Sequence, residues 1–265
     1  MNKKFNGPKV LVFDVETAPI LAYVWGIWDQ NVGLNQIYSD WHILSWSAKW
    51  LNGPPNKIMY ADQRHEKHIE NDKKILKQIH ALLEEADIVV TQNGQAFDRK
   101  KLNARFVMQG LKPTHSYKHI DTMLLAKKHF AFTSNKLAYM TDKLCAKYKK
   151  LTDADKKFPG FELWKECIAG NKAAWREMER YNKQDVLSLE ELYHILSPWD
   201  KTVNFNLYTD SDEVVCNCGS KDLQKRGFGY NASGKFQKYQ CNSCGRYSQS
   251  KPNLLSKNKK KSLHT

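Results

Sequence analysis

The chain has 265 residues, 41% of them hydrophobic, which allows one domain of ordinary size and a small second one. Its formal net charge of +14 at pH 7 favours a polyanionic partner, most simply nucleic acid, although a solvated lysine-rich surface is the simpler alternative. No apolar stretch approaches the roughly 18 residues of a membrane span, and the run after the basic N-terminus is too short for a signal peptide, so we expect a cytoplasmic protein.

Apolar runs of strand type alternate with segments of helical periodicity over about the first 195 residues. The predicted strands cover 9–16, 42–51, 56–63, 87–92 and 117–122. The predicted helices cover 72–87, 97–110, 134–148 and 171–196. This alternation predicts an α/β domain.

The composition changes after the last predicted helix. Residues 197–213 lack periodicity and are interpreted as a linker, 214–250 form a cysteine-bounded unit, and 251–265 are a basic tail that we expect to be disordered. Residues 200–265 carry 12 Lys and Arg against five Asp and Glu, a net +7, so this quarter holds half of the excess positive charge. The remaining residues, 1–196, form the predicted α/β domain.

Four carboxylates and one tyrosine lie on these elements. Asp14 and Glu16 end the first strand, where alternation places both on one face, at the carboxyl edge at which α/β sheets bind ligands. Asp98 opens a helix, and Tyr181 and Asp185, four residues apart, share a face of the last helix. Singly, these residues fit surface charge or a helix-dipole contact. Together they indicate a pair of divalent cations that acts on a phosphodiester.

The order of three motifs, FDVE, then NGQAFD with Leu102 and Arg105 downstream, then YNKQD, resembles the DEDD superfamily of 3′–5′ exonucleases. Tyr181 in place of histidine is typical of the DEDDy branch, and VFDVETAP is similar to the proofreading exonuclease domains of family B DNA polymerases and their stand-alone relatives. The resemblance covers roughly residues 8–195. It implies a ribonuclease H-like fold, with a mixed central sheet flanked by helices.

The resemblance also implies a role for each residue. Asp14 bridges two Mg²⁺ or Mn²⁺ ions, Glu16 and Asp185 complete the site of the ion that carries the attacking water, and Asp98 supports the second ion. Tyr181, whose phenol is neutral at pH 7, orients that water rather than removing its proton.

Asn93 and Phe97 lie beside Asp98 and are candidate nucleic-acid-binding residues. By the same resemblance, Asn93 holds the strand near its 3′ end and Phe97 packs behind the site, although a simple core position is the favoured interpretation of Phe97. Asp121 matches a common position of the fold and is expected to cap or support the structure rather than to bind metal.

The C-terminal unit contains four clustered cysteines, Cys216, Cys218, Cys241 and Cys244. In a reducing compartment such clustering favours metal over disulfides, and four thiolates at two turns suit one structural Zn²⁺. The unit resembles a small zinc ribbon, although its first pair encloses one residue instead of the standard two. A redox cluster of free thiols is the alternative, but so small a unit has too little core to fold alone.

The predicted hairpin of this unit, turning at 231–234, interleaves basic and aromatic side chains. Strand alternation would place many charges on one face and the rings on the other, which suits single-stranded nucleic acid. The candidate nucleic-acid-binding residues are Lys225, Arg226, Lys235, Lys238 and Arg246. A ribbon core covered with soluble lysines and a protein-docking surface are the alternatives.

These features predict a stand-alone two-metal 3′–5′ exonuclease that removes nucleotides from single-stranded or frayed DNA, alone or with a separate polymerase in trans. Small enzymes of this kind occur in bacteria and bacteriophages, so we expect a bacterial cytoplasm and a bacterial or phage gene. An RNA-trimming exonuclease or a structure-specific endonuclease on the same fold is the alternative, since no feature reads a 2′-hydroxyl. A non-catalytic DNA-binding or polymerase-accessory protein is disfavoured, because four clustered charges without a role would be costly.

Overall fold

The computed structural model describes residues 7–210 and 212–263. Residues 1–6, 211 and 264–265, which the sequence analysis assigns to the α/β domain, the linker and the tail, lie outside the described residues. The strands are β1 Val10–Thr17, β2 Leu21–Ala22, β3 Ile37–Ser39, β4 Ile43–Trp50, β5 Met59–Asp62, β6 Ile88–Thr91, β7 Lys118–Asp121, β8 Leu223–Asn231, β9 Gly234–Cys241 and β10 Tyr247–Gln249. The helices are α1 Lys73–Glu85, α2 Asp98–Met108, α3 Thr122–His129, α4 Leu137–Leu144, α5 Glu162–Ile168, α6 Lys172–Leu196 and α7 Lys257–Lys261.

One compact unit comprises Lys9–Ile195, and a second is built mainly from the residues that follow. The first unit contains a five-stranded sheet in the order β5-β4-β1-β6-β7. Strand β1 is antiparallel to β4 and parallel to β6, so the sheet is mixed. Helices pack against it, and the predicted α/β class with a mixed sheet flanked by helices is confirmed.

The pleat of β1 directs its residues alternately to two faces of the sheet. Leu11, Phe13 and Val15 are buried in a core that α1 and α2 complete. A second core includes Leu44 of β4 together with residues of α5 and α6, among them Tyr181. Asp14 and Glu16 therefore face the side of the sheet that α6 covers.

The structure differs from the predicted elements between β7 and α6. Helix α3, missing from the prediction, begins directly after β7, and the side chain of Asp121 caps it by accepting hydrogen bonds from the amides of Met123 and Leu124. The helix predicted at 134–148 is shorter, because the amides of Ala146 and Tyr148 donate to the carboxylate of Glu191 instead of continuing the helix. Helix α5 is also missing from the prediction; both missed helices are short, with weak sequence periodicity.

The second unit contains a three-stranded antiparallel sheet in the order β10-β9-β8. The β8–β9 hairpin turns between Asn231 and Gly234, where it was predicted. Short 3₁₀ helices occupy Ser197–Trp199 and Phe205–Tyr208, and α7 lies in the basic segment near the C-terminus. The predicted boundaries of domain, linker, ribbon and tail stay predictions.

No helix within the described residues has the length and apolar character needed to cross a lipid bilayer.

A buried ion pair ties α1, α2 and β4 together. Arg105 donates to both carboxylate oxygens of Asp72, over 2.7 and 2.8 Å, and Asp72 also accepts the backbone N–H of Ile43 at 2.9 Å. Asp72 is fully buried and Arg105 is 6% exposed. A charged group this deeply buried is stable only with its partner in place, because the free-energy cost of its desolvation exceeds what the remaining neighbours contribute.

We expect Arg105→Ala to lower the free energy of unfolding by about 3–5 kcal/mol, because it leaves the Asp72 carboxylate buried and unpaired. Urea denaturation of the full chain measures the effect. The matched control is Lys74→Ala, which removes an exposed ion pair with Glu66 and should cost less than about 1 kcal/mol. Equal losses in the two variants would contradict the prediction.

Candidate active site

Three carboxylates converge between β1 and α6. One oxygen from each of Asp14, Glu16 and Asp185 lies within 4.8 Å of the others. Asp14 and Glu16 come from one face of the central strand, and Asp185 comes from the helix that covers this face. Residues from distant parts of the chain thus meet, because strand alternation and the packing of α6 direct them into one space.

Asp98 lies beside this group but is held differently. It is 2% exposed at the start of α2, and its Oδ1 accepts the backbone N–H of Val15 at 3.1 Å. Val15 separates Asp14 from Glu16, so this hydrogen bond fixes Asp98 against the strand that carries both. Asp98 does not join the three converging oxygens, but its charge adds to the effect of burial, the main cause, in raising the pKa values of Asp14 and Glu16.

Lys150 enters the cluster from the loop before α5. Its ammonium donates to the hydroxyl of Tyr181 at 2.7 Å and also contacts Asp185. Burial lowers the pKa of Lys150, but Asp185 and Asp14 outweigh that effect, so the pKa is raised and the side chain is charged at neutral pH. Sequence reasoning missed Lys150, because a lysine in a lysine-rich loop carries no periodic or motif signal.

Tyr181 is held by its surroundings. It is 7% exposed, and its ring meets Trp164 edge-on at 5.9 Å between centroids. Burial, with the nearby Asp185 charge adding to it, raises the pKa of the phenol above its usual value, so Tyr181 is neutral at any physiological pH. Its hydroxyl can orient a polar group but cannot act as an anionic base.

Asn182 positions Asp14 and was also missed. Its Nδ2 donates to Asp14 Oδ2 at 2.6 Å, and its Oδ1 accepts from Ser45 Oγ at 3.3 Å. The side chain is fully buried. Its place directly after Tyr181, inside the YNKQD motif, is the sequence signal that could have identified it. A buried amide is costly unless it is hydrogen-bonded, so a partner for it near the site was to be expected.

Burial raises the pKa of every carboxyl in this group. It raises the pKa of Glu16 to about 8 and that of Asp98 to about 7. The pKa of Asp14 is raised well above its usual range, first by burial and then by Glu16, and burial also raises that of Asp185 against the opposing charge of Lys150. Such clustered, desolvated carboxyls occur mainly at functional sites.

The residues present fit divalent cations. Asp185 Oδ1 is buried and has no hydrogen-bond partner among the described residues, so one acceptor remains free. The ammonium of Lys150 contacts the other oxygen of the same carboxylate, which shows that this position accommodates a positive charge. Three carboxylate oxygens suit a hard ion such as Mg²⁺ or Mn²⁺.

Asn93 and Phe97 flank the turn that leads into α2. Asn93 adopts a left-handed conformation with φ of 62°, which asparagine tolerates, and its N–H donates to Asp121 Oδ1 at 2.9 Å. Phe97 is 39% exposed, so the favoured core interpretation of this residue is wrong. Asp121 supports the turn and caps α3, as predicted.

The four cysteines of the second unit form one cluster despite the short first pair. The Sγ atoms of Cys216 and Cys244 are 3.7 Å apart, and those of Cys218 and Cys241 are 3.8 Å apart. Zn–S bonds of about 2.3 Å in a tetrahedron place sulfur atoms about 3.8 Å from one another. The small β unit with its cysteine cluster is consistent with a zinc ribbon.

The predicted separation of charges and rings on the hairpin is wrong. A bulge between Lys225 and Phe228 places both on the face that carries Lys235, whose ammonium lies 3.9 Å from the Phe228 ring centroid. Arg226 is exposed and donates to Gln240 at 3.0 Å. Lys238 and Arg246 lie elsewhere, in a cavity beside β10.

Comparison with known proteins agrees with this fold. A family model described as the RNase_H superfamily matches residues 50–197, which include Asp98, Tyr181 and Asp185 but not β1. The family B DNA polymerase from the hyperthermophilic archaeon Pyrobaculum calidifontis superposes with a TM-score of 0.50 at 16% identity, over 72% of this chain and 25% of that chain.

The chain therefore spans about a quarter of the length of that polymerase, and at this identity the likeness concerns the fold. No curated protein sequence matches the chain. The family model covers more than half of the 265 residues. The carboxylate cluster lies where α6 packs on the central strand. The chain belongs to the RNase H superfamily.

Proposed function

We propose that the protein is a 3′–5′ exonuclease that depends on two divalent cations and acts on single-stranded or frayed DNA. The observation that carries the proposal is the convergence of Asp14, Glu16 and Asp185 on a ribonuclease H-like sheet, with Asp185 Oδ1 left free as an acceptor. Family membership and this site support a nuclease; the 3′ direction and the DNA substrate rest on the motif resemblance.

Asp14, Glu16 and Asp185 would hold the cations, with Asp98 beside them. The bound ions would neutralise the phosphodiester and lower the pKa of the attacking water. Asn182 holds Asp14 in one orientation through its 2.6 Å hydrogen bond, which pre-organises this carboxylate for a bound cation.

Tyr181 and Lys150 lie beside Asp185, and Lys150 contacts its Oδ2, which leaves Oδ1 free. The neutral phenol of Tyr181 donates its proton in a hydrogen bond and so orients the attacking water. Lys150 opposes the effect of burial on the pKa of Asp185 and favours its ionised form, because the ammonium contacts that carboxylate directly. We propose that the zinc ribbon assists nucleic-acid or partner binding, and that a polymerase acting in trans is a candidate partner.

Digestion of 3′- and 5′-labelled single-stranded DNA and RNA of the same sequence tests the proposal. With Mg²⁺ or Mn²⁺ we expect stepwise loss from the 3′ end of DNA, and none in metal-depleted buffer. Asp14→Asn should lower the rate by more than about 100-fold, because losing even a residue that supports a metal ligand costs 10–100-fold.

The matched control is Asp142→Asn, which removes an exposed carboxylate from α4 and should leave the rate unchanged. Cleavage without metal, cleavage from the 5′ end, or no cleavage of either polymer would contradict the proposal. Faster trimming of RNA than of DNA would favour the RNA-trimming alternative.

Tyr181→Phe should lower kcat by about 10–100-fold while the affinity for divalent metal stays within about twofold, since the phenol orients water and is not a ligand. The ring that packs on Trp164 is retained, so the fold should be unchanged. Rate and metal titration of the two proteins measure the effect. Full activity of the variant would show that the hydroxyl has no role in the reaction.

Without added metal, the free energy of unfolding should fall as pH rises from about 4.5 to about 8. Glu16 has a pKa of about 8 in the folded chain, so over this range the folded state retains a proton that the unfolded state has released. Higher pH therefore favours unfolding, and the effect levels off above the folded pKa.

Urea denaturation at pH 5 and pH 8 of the wild type and of Glu16→Gln isolates this contribution, which the variant should lack. Mg²⁺ should cancel the loss in the wild type, because cations favour the ionised carboxylate. The same pH dependence in both proteins would contradict the prediction.

A further inference from the structure

A cavity of about 480 Å³ lies within the second unit, beside β10 and away from the hairpin face that carries Lys225 and Lys235. Residues from three parts of this unit line it, with Lys201 from the segment after α6, Lys238 from β9 and Arg246 from the position directly before β10. Among the described residues no carboxylate lines this cavity. Its three cationic side chains therefore have no compensating charge from its walls.

Arg246 is the fixed element of the cavity. It is 7% exposed, and one of its terminal nitrogens, Nη2, donates to the backbone carbonyl of Ser197. Its Nε and Nη1 are buried and have no hydrogen-bond partner among the described residues. Buried guanidinium donors without acceptors are costly, so an anion in the cavity would supply the missing hydrogen-bond acceptors.

The position of Arg246 is set by the cysteine cluster. Its backbone carbonyl accepts the N–H of Cys241 at 2.9 Å, directly after the turn at Cys244 and Gly245. The guanidinium therefore projects from a turn that backbone hydrogen bonds tie to Cys241. A charge held in place in this way loses little conformational entropy when it binds an anion.

The lining beyond the cations indicates which kind of anion fits. Lys238 pairs with Gln249 across β9 and β10, so these side chains share one face of the sheet with Tyr247, two residues before Gln249. Tyr247 is 54% exposed. An exposed ring and an amide beside a cationic cavity suit a nucleotide, because the ring can stack on a base while the cations hold its phosphate.

We propose that this cavity binds a backbone phosphate of a single nucleic-acid strand, which deepens the proposed nuclease function and rests on it for the identity of the ligand. Arg246, Lys201 and Lys238 contact the phosphate, and Tyr247 stacks on the neighbouring base. The hairpin face with Lys225 and Lys235 is not part of this site, although the sequence analysis grouped these two lysines with Lys238 and Arg246.

Binding of a fluorescent single-stranded DNA oligonucleotide to the full chain, followed by anisotropy in buffer without added divalent cation, tests the proposal. The double variant Lys201→Gln/Lys238→Gln should lower the affinity about tenfold, as expected for losing charged hydrogen bonds. The slope of log affinity against log salt should fall by about 0.7, the value for one phosphate of a single strand.

The control is Lys225→Gln, which removes an exposed charge from the opposite face of the same sheet and should retain most of the affinity. Both lysines of the double variant are exposed, so it should fold; Arg246→Gln, which also alters a buried contact, serves as a second variant. An affinity for the double variant no lower than that of the control would overturn the proposal.

An oligonucleotide with a neutral methylphosphonate backbone identifies the group that is bound. The wild type should bind it more weakly, and the difference between wild type and double variant should disappear. A deficit that persists on the neutral backbone would overturn the assignment to phosphate. Inorganic phosphate binding that depends on these residues, with unchanged DNA affinity, would overturn the assignment to a strand.

Cleavage is measured separately, as release of the labelled 3′ nucleotide with Mg²⁺. A wild type that binds DNA through this cavity without cutting it would refute the proposed nuclease function and leave the phosphate site standing. A wild type that cuts DNA while the cavity variants bind normally would refute the phosphate site alone.

Discussion

The main physical constraint on the first unit is that its fold brings together carboxylates that repel one another. Asp14 and Glu16 leave the central strand on the face that α6 covers, and Asp185 meets them there. Burial raises the pKa of each group and so favours the protonated forms, while the ammonium of Lys150 offsets part of the repulsion. Divalent cations would relieve the same repulsion, which is why a destabilising arrangement is suited to catalysis.

The surroundings hold this cluster in one geometry. Asn182 binds Asp14, and the backbone of Val15 binds Asp98, so two of the four carboxylates are oriented before any ligand arrives. Away from the site, the buried pair of Asp72 and Arg105 joins α1, α2 and β4. Side chains fixed in this way lose little entropy on binding, so the scaffold contributes affinity through rigidity.

The second unit also holds like-charged side chains close together, but these side chains are cationic. Its cysteines approach to within 3.7–3.8 Å in the pairs that face one another, which suits a bound metal, and the adjoining loop holds Arg246 with two donors unmet. The first unit thus clusters carboxylates around Asp185 Oδ1, and the second clusters cationic side chains around Nε and Nη1 of Arg246; these atoms have no hydrogen-bond partner among the described residues. Both arrangements are costly without a ligand, and the proposed ligands would relieve that cost.

The sequence by itself determined the five strands of the central sheet, the long helix α6 and the residue types of the carboxylate and cysteine clusters, because period and motif spacing are local properties. Only the tertiary structure revealed Lys150, Asn182 and the cavity around Arg246, since contacts between distant segments leave no periodic trace. It also decided the sidedness of the hairpin, because one bulged residue reverses strand alternation. The residue types at the site could be predicted from the sequence, whereas the contacts that each side chain makes depended on how the elements pack.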